Sequence, residues 1–279
     1  MRIKILLFAT SVLAAVCAQV ATAALATDQT AALTVEQKEE FLRHAAVEEI
    51  KDARKGITYT VRATLSDGHL THDASVQRID LFRAKFDGSK GSEFNFRDCY
   101  LFNVAAWKLA KMLGLESMVP PSVERRLSGV RGAFTWWIEN VQMDEGERVR
   151  SRLQAPDRDR WSRETAIMHV FDELIYNTDR NGQNILYDKD WNLWMIDHTR
   201  AFRIRTGLMN SRHLEVCDRQ MLEKMKELTL ERLSAEVGPY LHKDEIRAIL
   251  ARRDVIVKYF ESRPEKVFDY LIAGAERPK

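Results

Sequence analysis

Little in this chain of 279 residues is one-sided. Lys and Arg number 43 against 41 Asp and Glu, a net charge of +2, so no strong field marks the chain for bulk nucleic-acid binding. No internal repeat and no low-complexity tract occurs, which excludes solenoid and fibrous architectures. Cysteine is scarce, with three in all. Cys17 lies near the N-terminus, which leaves Cys99 and Cys217. A disulfide between these two and a pair of buried free thiols are both compatible with the sequence. Long apolar runs are missing too, except at the start. There Arg2 and Lys4 precede the apolar stretch Ile5 to Val16, followed by the small-x-small sites Ala21-Thr22-Ala23 and Ala24-Leu25-Ala26. That is the layout of a secretory signal. A membrane span needs roughly 20 mainly apolar residues, and Gln19 and Thr22 interrupt this one. Val16 is bulky where a lipidation site at Cys17 wants a small residue. The expectation is a cleaved signal over 1–26, a secreted or periplasmic protein and no stable membrane span. An uncleaved anchor is the alternative.

What is present is a core-forming composition, 45% hydrophobic, enough for one two-lobed domain or two small ones. Thr34-x-x-Gln37 is a capping box that opens a helix running to about Ala53. Ile57–Val61 and Ala63–Leu65 read as strand, Asp67-Gly68 as a hairpin turn and Leu70–Ile79 as the return strand. Lys85–Asn95, with Gly88 and Gly91, reads as a loop. Asp98–Leu115 is helical, with Leu101, Val104, Ala105, Leu109 and Met112 on one face. Ser122–Arg126 and Ala133–Ile138 read as strands around Ser128-Gly129. Val141–Asp159 is charged and has a weak pattern. Ser162–Thr178 is a helix with an apolar stripe, and Asn184–Tyr187 and Leu193–Ile196 form a short hairpin. From Val216 onward the pattern is helical. The fold class is α+β: a β-rich first part with one main helix, then a mostly helical second part. The divisions fall at 27–55 for a leader and first helix, 56–140 for the first lobe and 141–279 for the second.

The stretch Phe171–Phe202, FDELIYNTDRNGQNILYDKDWNLWMIDHTRAF, lies where the hairpin meets the long helix. Asn177, Asp179 and Asn181-Gly182 are good turn formers, and Asp197 could cap the next segment. The joint pattern says more. Phosphoryl transfer needs one carboxylate to orient an attacking hydroxyl, plus an amide and a second carboxylate to hold Mg²⁺ or Mn²⁺ on the phosphates. Hard cations take oxygen ligands, and Asp179, Asn184 and Asp197 supply them. The Asp179-to-Asn184 gap is five residues, as in H-R-D-x-x-x-x-N. The thirteen residues from Asn184 to Asp197 are enough for a hairpin that returns the second carboxylate to the loop.

Asn177-Thr178-Asp179-Arg180-x-x-x-Asn184-Ile185-Leu186 and Met195-Ile196-Asp197-His198-Thr199-Arg200-Ala201-Phe202 resemble the atypical kinases. Most similar are the secreted casein-kinase-like family and the HipA-like kinases, with phosphatidylinositol kinases sharing the D-R-x-x-x-N-I and I-D elements. Asn103 to Leu115 and Val119 to Arg125 resemble that family's helix and following strand. The resemblance covers roughly 56–203. It implies a two-lobed kinase-like fold with ATP in the cleft, Asp179 as catalytic carboxylate, and Asn184 and Asp197 as ligands of Mg²⁺ or Mn²⁺. Two positions depart from the pattern. Gln77 stands where the family's strand Lys is expected and Asn103 where its helix Glu is expected. An ion pair becomes an amide pair, with no positive charge for a polyphosphate. Lys85 or Lys90 could supply the cation, or Lys85 could itself be the family lysine in a shifted register. No Gly-x-Gly-x-x-Gly is present; Gly68 alone marks the hairpin.

Smaller features carry two readings each. Trp136-Trp137 could stack on adenine or pack in the core. His198 packs or hydrogen-bonds rather than catalyses. Arg180 is expected in an internal ion pair, and Arg200 and Arg203 could meet substrate phosphate or only solvent. Three functions are compatible with the chain: an exported ATP-dependent phosphotransferase with an undefined acceptor (protein, lipid or small molecule), a nucleotide-binding pseudokinase that serves as a scaffold, or a secreted structural domain without nucleotide. The first accounts for most of the pattern.

Overall fold

The computed structural model describes residues 33–52, 60–88 and 91–270. The expected signal over 1–26, the strand start at 57–59 and Lys90 lie outside the described residues. Thr34 and Gln37 make both bonds of the capping box and open α1, Val35–His44. The helix does not continue to Ala53. Ala45 turns extended, and β1, Ala46–Asp52, pairs antiparallel with β2, Val61–Ser66. Strand pairing here outweighs the helix propensity of Glu48, Glu49 and Lys51. Asp67 accepts from the N–H groups of His69 and Leu70, and Gly68 takes φ +87°, so β2 turns into β3, Thr71–Gln77. With β6, Ser122–Leu127, and β7, Val130–Trp136, these strands form one antiparallel sheet in the order β1-β2-β3-β7-β6.

Alternation along the strands gives this sheet two unlike faces. Ala63, Leu65, Ala74, Val76, Val123, Phe134 and Trp136 are buried with Phe41 and Leu42 of α1. The other face is polar: Lys51, Arg62, Ser75, Thr135 and Ser122 stand opposite one another in a single row across all five strands.

Lys85–Asn95 is not a loop. β4, Asp80–Gly88, and β5, Gly91–Cys99, form an antiparallel hairpin that projects between β3 and the next helix. Its glycines sit at the turn. Phe82, Phe86, Phe94 and Phe96 supply strand propensity on either side, and Phe86 stacks on Phe96 at 4.2 Å between ring centroids. The helix α2, Leu101–Leu113, ends at Gly114 with φ +77°. It buries Phe102, Ala105, Trp107 and Leu109 in the larger core, so it ties the sheet to the second lobe.

That lobe is built on α4, Arg158–Ile175. The weakly patterned Val141–Asp159 resolves into β8, Val141–Asp144, and α3, Glu145–Arg150. β8 joins β9, Ile185–Asp188, and β10, Leu193–Met195, in a three-stranded sheet. The helices α5, Arg219–Lys226, α6, Leu230–Val237, and α7, Lys243–Glu261, complete the core. A short parallel pair, β11, Cys217–Asp218, with β12, Val267–Phe268, closes the end. Cys99 and Cys217 are buried free thiols. No helix among the described residues is long and apolar enough to cross a membrane.

Candidate functional site

α4 stops at Tyr176, which takes a left-handed conformation at φ +51°. The turn after it is held from below. Asn177 Nδ2 donates to Asp172 Oδ1 at 3.0 Å, and the amide of Asp179 donates to Asn177 Oδ1 at 3.2 Å. Arg180 forms the expected internal ion pair. Its Nε and Nη2 donate to the two oxygens of Asp172 at 2.8 and 3.0 Å. Its Nη1 donates to the carbonyls of Asn184 and Ile196, each at 2.7 Å. One guanidinium therefore staples the loop to the far end of the β9–β10 hairpin. Asn184 closes the loop by donating from Nδ2 to the Asp179 carbonyl at 2.9 Å.

The hairpin brings Asp197 back beside Asn184, since the Ile196 amide donates to the Asn184 carbonyl at 3.1 Å. Asp197 sits at φ +52°. A non-glycine residue there stores strain, which persists where the surroundings enforce it and clusters at functional sites. Here Thr199 Oγ1 donates to Asp197 Oδ1 at 2.9 Å, and Gln77 hydrogen-bonds the same carboxylate. Burial pushes the Asp197 carboxyl up from the usual carboxylate range, against the Thr199 and Gln77 hydrogen bonds that favour its anion.

Gln77 and Asn103 meet as their positions predict. Asn103 Nδ2 donates to Gln77 Oε1 at 2.5 Å, and Asn103 Oδ1 accepts from the His198 amide at 2.7 Å. β3, α2 and the segment after β10 are thus joined through two neutral amides. Gln77, Asn103, Asn184 and Asp197 line the inner end of a cleft of about 1440 Å³ between the lobes. Arg62, Ser75 and Thr135, from the polar row, form its roof, and Trp137 stands at the strand end.

The donor set suits a hard divalent cation. Asn184 Nδ2 is engaged, which leaves its amide oxygen as a ligand atom, and Asp197 offers carboxylate oxygen. No group of three or more His, Cys, Asp or Glu fit to hold a metal occurs among the described residues. Two protein oxygens with phosphate and water completing the shell is how Mg²⁺ is commonly held.

The remaining predicted positions separate. Asp179 is part exposed and does not line the large cleft. Asn184, bonded to its carbonyl, lines that cleft, while its neighbour Thr178 lines a second cavity of about 620 Å³ bounded by β5 and Phe202–Arg205. Arg200 Nη1 lies 3.6 Å from Asp179 Oδ2. Lys85 points away on β4, exposed and paired with Asp87 at 3.1 Å, and is not in the lining. The tryptophans divide. Trp136 joins the core and stacks on His72, and Trp137 faces the cleft with the Arg62 guanidinium 4.4 Å above its ring. His198 is buried and burial holds it neutral, packed edge-on to Phe171. Arg203 is buried against Glu93 and the Arg97 carbonyl.

Two residues at the site carried no functional expectation from the sequence, and Asp98, expected to open the helix, instead lies in β5. Asp98, buried at the end of β5, accepts from Arg200 Nε at 2.9 Å. Its partner is 102 positions away, so no local pattern shows the pair. Arg62 could have been found: strand alternation through Ala63 and Leu65 puts it on the polar face.

No family model matches the chain, and no curated protein matches its sequence. Solved structures do match in shape. Hydra Fam20, solved with sugar, superposes with a TM-score of 0.60 at 15% identity, over 84% of this chain and 92% of its own. The Golgi casein kinase gives 0.56 at 13% identity over 82% of this chain and 75% of its own. The same kinase with Mn and ADP bound gives 0.57 at 12% over 84% and 78%. At these identities the likeness concerns shape, and it agrees with a layout in which a β-rich lobe and a mostly helical lobe enclose a polar cleft: the chain has the two-lobed fold of the atypical, Fam20-like kinases.

Proposed function

We propose that the chain is an exported, nucleotide-dependent phosphotransferase. One observation carries the reading: Asn184 and Asp197 line one cleft, and Asp179 is tied to Asn184 through its own carbonyl while its neighbour Thr178 lines a second cavity. A nucleotide triphosphate such as ATP would occupy the larger cleft and a hydroxyl acceptor, on a protein, lipid or small molecule, the smaller. A bound Mg²⁺ or Mn²⁺ would neutralise phosphate charge, held by Asn184 and Asp197. Asp179 accepts the acceptor's proton as its oxygen attacks the terminal phosphorus. The Asp172–Arg180 pair and the Asn177 bonds hold that carboxylate's loop in place. Export rests on the expected signal over 1–26.

A second reading has its own support. The Gln77–Asn103 pair brings no charge to the phosphates, and a nucleotide-binding scaffold without turnover fits that neutrality.

The test begins with thermal shift on protein from Thr27 onward, using a nucleotide panel with Mg²⁺ or Mn²⁺, beside Asp197→Ala. A ligand that binds only the native state stabilises it by about 2.7 kcal/mol at a hundredfold excess over Kd. The expected result is a metal-dependent shift that Asp197→Ala loses, then turnover that Asp179→Asn abolishes while the shift persists. Binding without turnover selects the scaffold. No shift with any nucleotide at millimolar concentration (the upper end of the usual KM range, about 1 μM to 1 mM) returns Asp179-Arg180 to an ordinary turn.

A further inference from the structure

A kinase-like site without the strand lysine still has to place positive charge against the transferring phosphoryl group, which spreads negative charge over three equatorial oxygens. The cations near the cleft can be compared by what already holds them. Arg180 uses Nε, Nη1 and Nη2 within the loop. Arg203 uses all three nitrogens too, on Glu93, the Arg97 and Ala201 carbonyls and Thr178. Arg62 is clamped by Asp73 and lies on Trp137, up on the roof. Lys51 is exposed and paired with Glu49 at 2.7 Å. Arg200 differs from all of these.

Arg200 is fixed at three points that leave its terminal fork open. Its carbonyl accepts from the Thr178 amide at 3.3 Å and from Thr178 Oγ1 at 3.0 Å, so its backbone is bolted to the residue before Asp179. Its Nε donates to buried Asp98 at 2.9 Å, and its guanidinium lies 5.3 Å from the Phe96 ring centroid. Among the described residues neither Nη1 nor Nη2 makes a hydrogen bond. Nη1 lies 3.6 Å from Asp179 Oδ2, an ion-pair contact beyond hydrogen-bond length. Arg200 is three residues past Asp197 and feels that carboxylate as well. A guanidinium anchored at Nε, with neither terminal nitrogen hydrogen-bonded among the described residues and Nη1 in a long ion pair with Asp179, presents the planar fork that matches two phosphate oxygens. Arg200 lines neither cavity itself, but it stands beside the candidate base and three residues past the candidate metal carboxylate.

We infer that Arg200 is a catalytic residue of this site, its Nη1 and Nη2 binding non-bridging oxygens of the transferring phosphoryl group and supplying the charge that Gln77 and Asn103 lack. The inference rests on the phosphotransferase reading. In the step it serves, the acceptor oxygen forms a bond to the terminal phosphorus as its proton passes to Asp179 and then to solvent. The bond from that phosphorus to the bridging oxygen breaks, and the electron pair leaves on the nucleoside diphosphate. Arg200 gains and loses no proton. Asp98 is a positioning residue, which acts by aiming the fork.

The experiment compares wild type, Arg200→Ala, Arg200→Lys and Asp179→Asn, all from Thr27 onward. Terminal-phosphoryl transfer to water or to the protein itself is followed with ATP and Mg²⁺ or Mn²⁺, together with the nucleotide-dependent thermal shift. Arginines that contact the transferring phosphoryl are worth about 10³-fold or more in kcat, and a fall of that order is expected in Arg200→Ala with the nucleotide shift retained. Added methylguanidinium is expected to restore part of the rate to Arg200→Ala and none to Asp179→Asn. Arg200→Lys keeps the charge and a donor for Asp98 but loses the fork, and is expected to fold and to fall in rate. An Arg200→Ala enzyme at wild-type rate overturns the inference. So does loss of the nucleotide shift in both Arg200 variants, or a rate that methylguanidinium does not raise. Absence of turnover in the wild type overturns the parent reading and this inference with it, and that outcome is visible before any variant is made.

Discussion

At the scale of single residues the inner cleft is defined by what Gln77 and Asn103 bond. Asn103 cannot be replaced freely, because its Oδ1 accepts from the His198 amide next to Asp197. Glu at 103 preserves an acceptor there, and Lys at 77 would pair with it. The double variant Gln77→Lys with Asn103→Glu is therefore expected to fold and to bind nucleotide more tightly. A charge-assisted contact is worth about 1.5–3 kcal/mol, so Kd should fall about tenfold or more, read by titration calorimetry with Mg²⁺ present. The single Gln77→Lys leaves an ammonium against a neutral amide and should give less. Gly182 is a second sensitive position. A Cβ there would meet the Gly146 amide nitrogen at 2.8 Å and its Cα at 3.1 Å, both backbone. Gly182→Ala must push the loop off α3, at a cost of about 1–3 kcal/mol. It should weaken the metal-dependent shift through Asn184, which ends the same turn. The parts of the site that could be read from sequence are those whose partners lie close along the chain: Asp179, Asn184 and Asp197 span one loop and one hairpin. The Gln77–Asn103 pair became legible only through the family resemblance. Arg200 was legible as a candidate phosphate contact, but its pairing with Asp98 was not, since the two lie 102 positions apart and only the fold joins them.

At the scale of elements, α1 is tied to α2 by one carboxylate. Glu39 is buried, and accepts from Lys111 Nζ at 2.6 Å, Trp107 Nε1 at 2.9 Å and Arg43 Nη2 at 2.5 Å, with Lys108 Nζ at 3.4 Å. Burial raises its pKa, but those hydrogen bonds and the Lys108 charge outweigh it and hold the carboxyl at about 2, below its ordinary 4.5. The folded value is depressed, so the stabilisation is fully present above about pH 4.5 and is lost as pH falls toward 2. The difference corresponds to about 3 kcal/mol at neutral pH. Trp107 is one helical turn from Asn103, so loosening α1 should also disturb the amide pair. Glu39→Gln is expected to lower Tm at pH 7 and to flatten the acid limb of the stability curve, measured by denaturant unfolding between pH 3 and pH 7 (a window that brackets the ordinary carboxylate pKa). A variant with an unchanged acid limb would show that Glu39 does not carry it. The sequence predicted the start of α1 from its capping box, which is local. It missed the end of α1 because β1 takes its form from pairing with β2 rather than from local propensity, and it missed the β4–β5 hairpin because Gly88, Gly91 and the polar residues around them read as loop rather than as a tight turn between strands.

At the scale of the whole molecule, the hairpin between β3 and α2 reaches across to the second lobe. The Cys99 amide donates to the Thr199 carbonyl at 2.9 Å, and Arg97 Nη1 donates to Glu245 Oε1 at 2.5 Å. Arg97 also lies over Phe102 at 4.8 Å. Glu245 has two tasks. It closes the capping box of α7, accepting from the His242 amide at 2.7 Å, and it grips the hairpin through Arg97. Its side chain is 4% exposed and that of Arg97 is 21%. Removing one partner from a buried pair leaves the other charge uncompensated, at about 3–5 kcal/mol, and losing a cap adds about 1 kcal/mol. Glu245→Ala should therefore lower stability by several kcal/mol. The neighbouring Asp244 gives the internal comparison. It is 75% exposed, pairs with Arg247 across one turn of α7 at 3.1 Å, and is screened by water. Such exposed pairs are worth about 0.2–1 kcal/mol, so Asp244→Ala should scarcely move the denaturant midpoint. If the hairpin works as a clasp, Glu245→Ala should also weaken the metal-dependent nucleotide shift beyond what its lower Tm explains, since β5 carries Asp98 and, through it, Arg200. An equal effect of the two substitutions on the midpoint would show that the Arg97–Glu245 contact does not join the lobes.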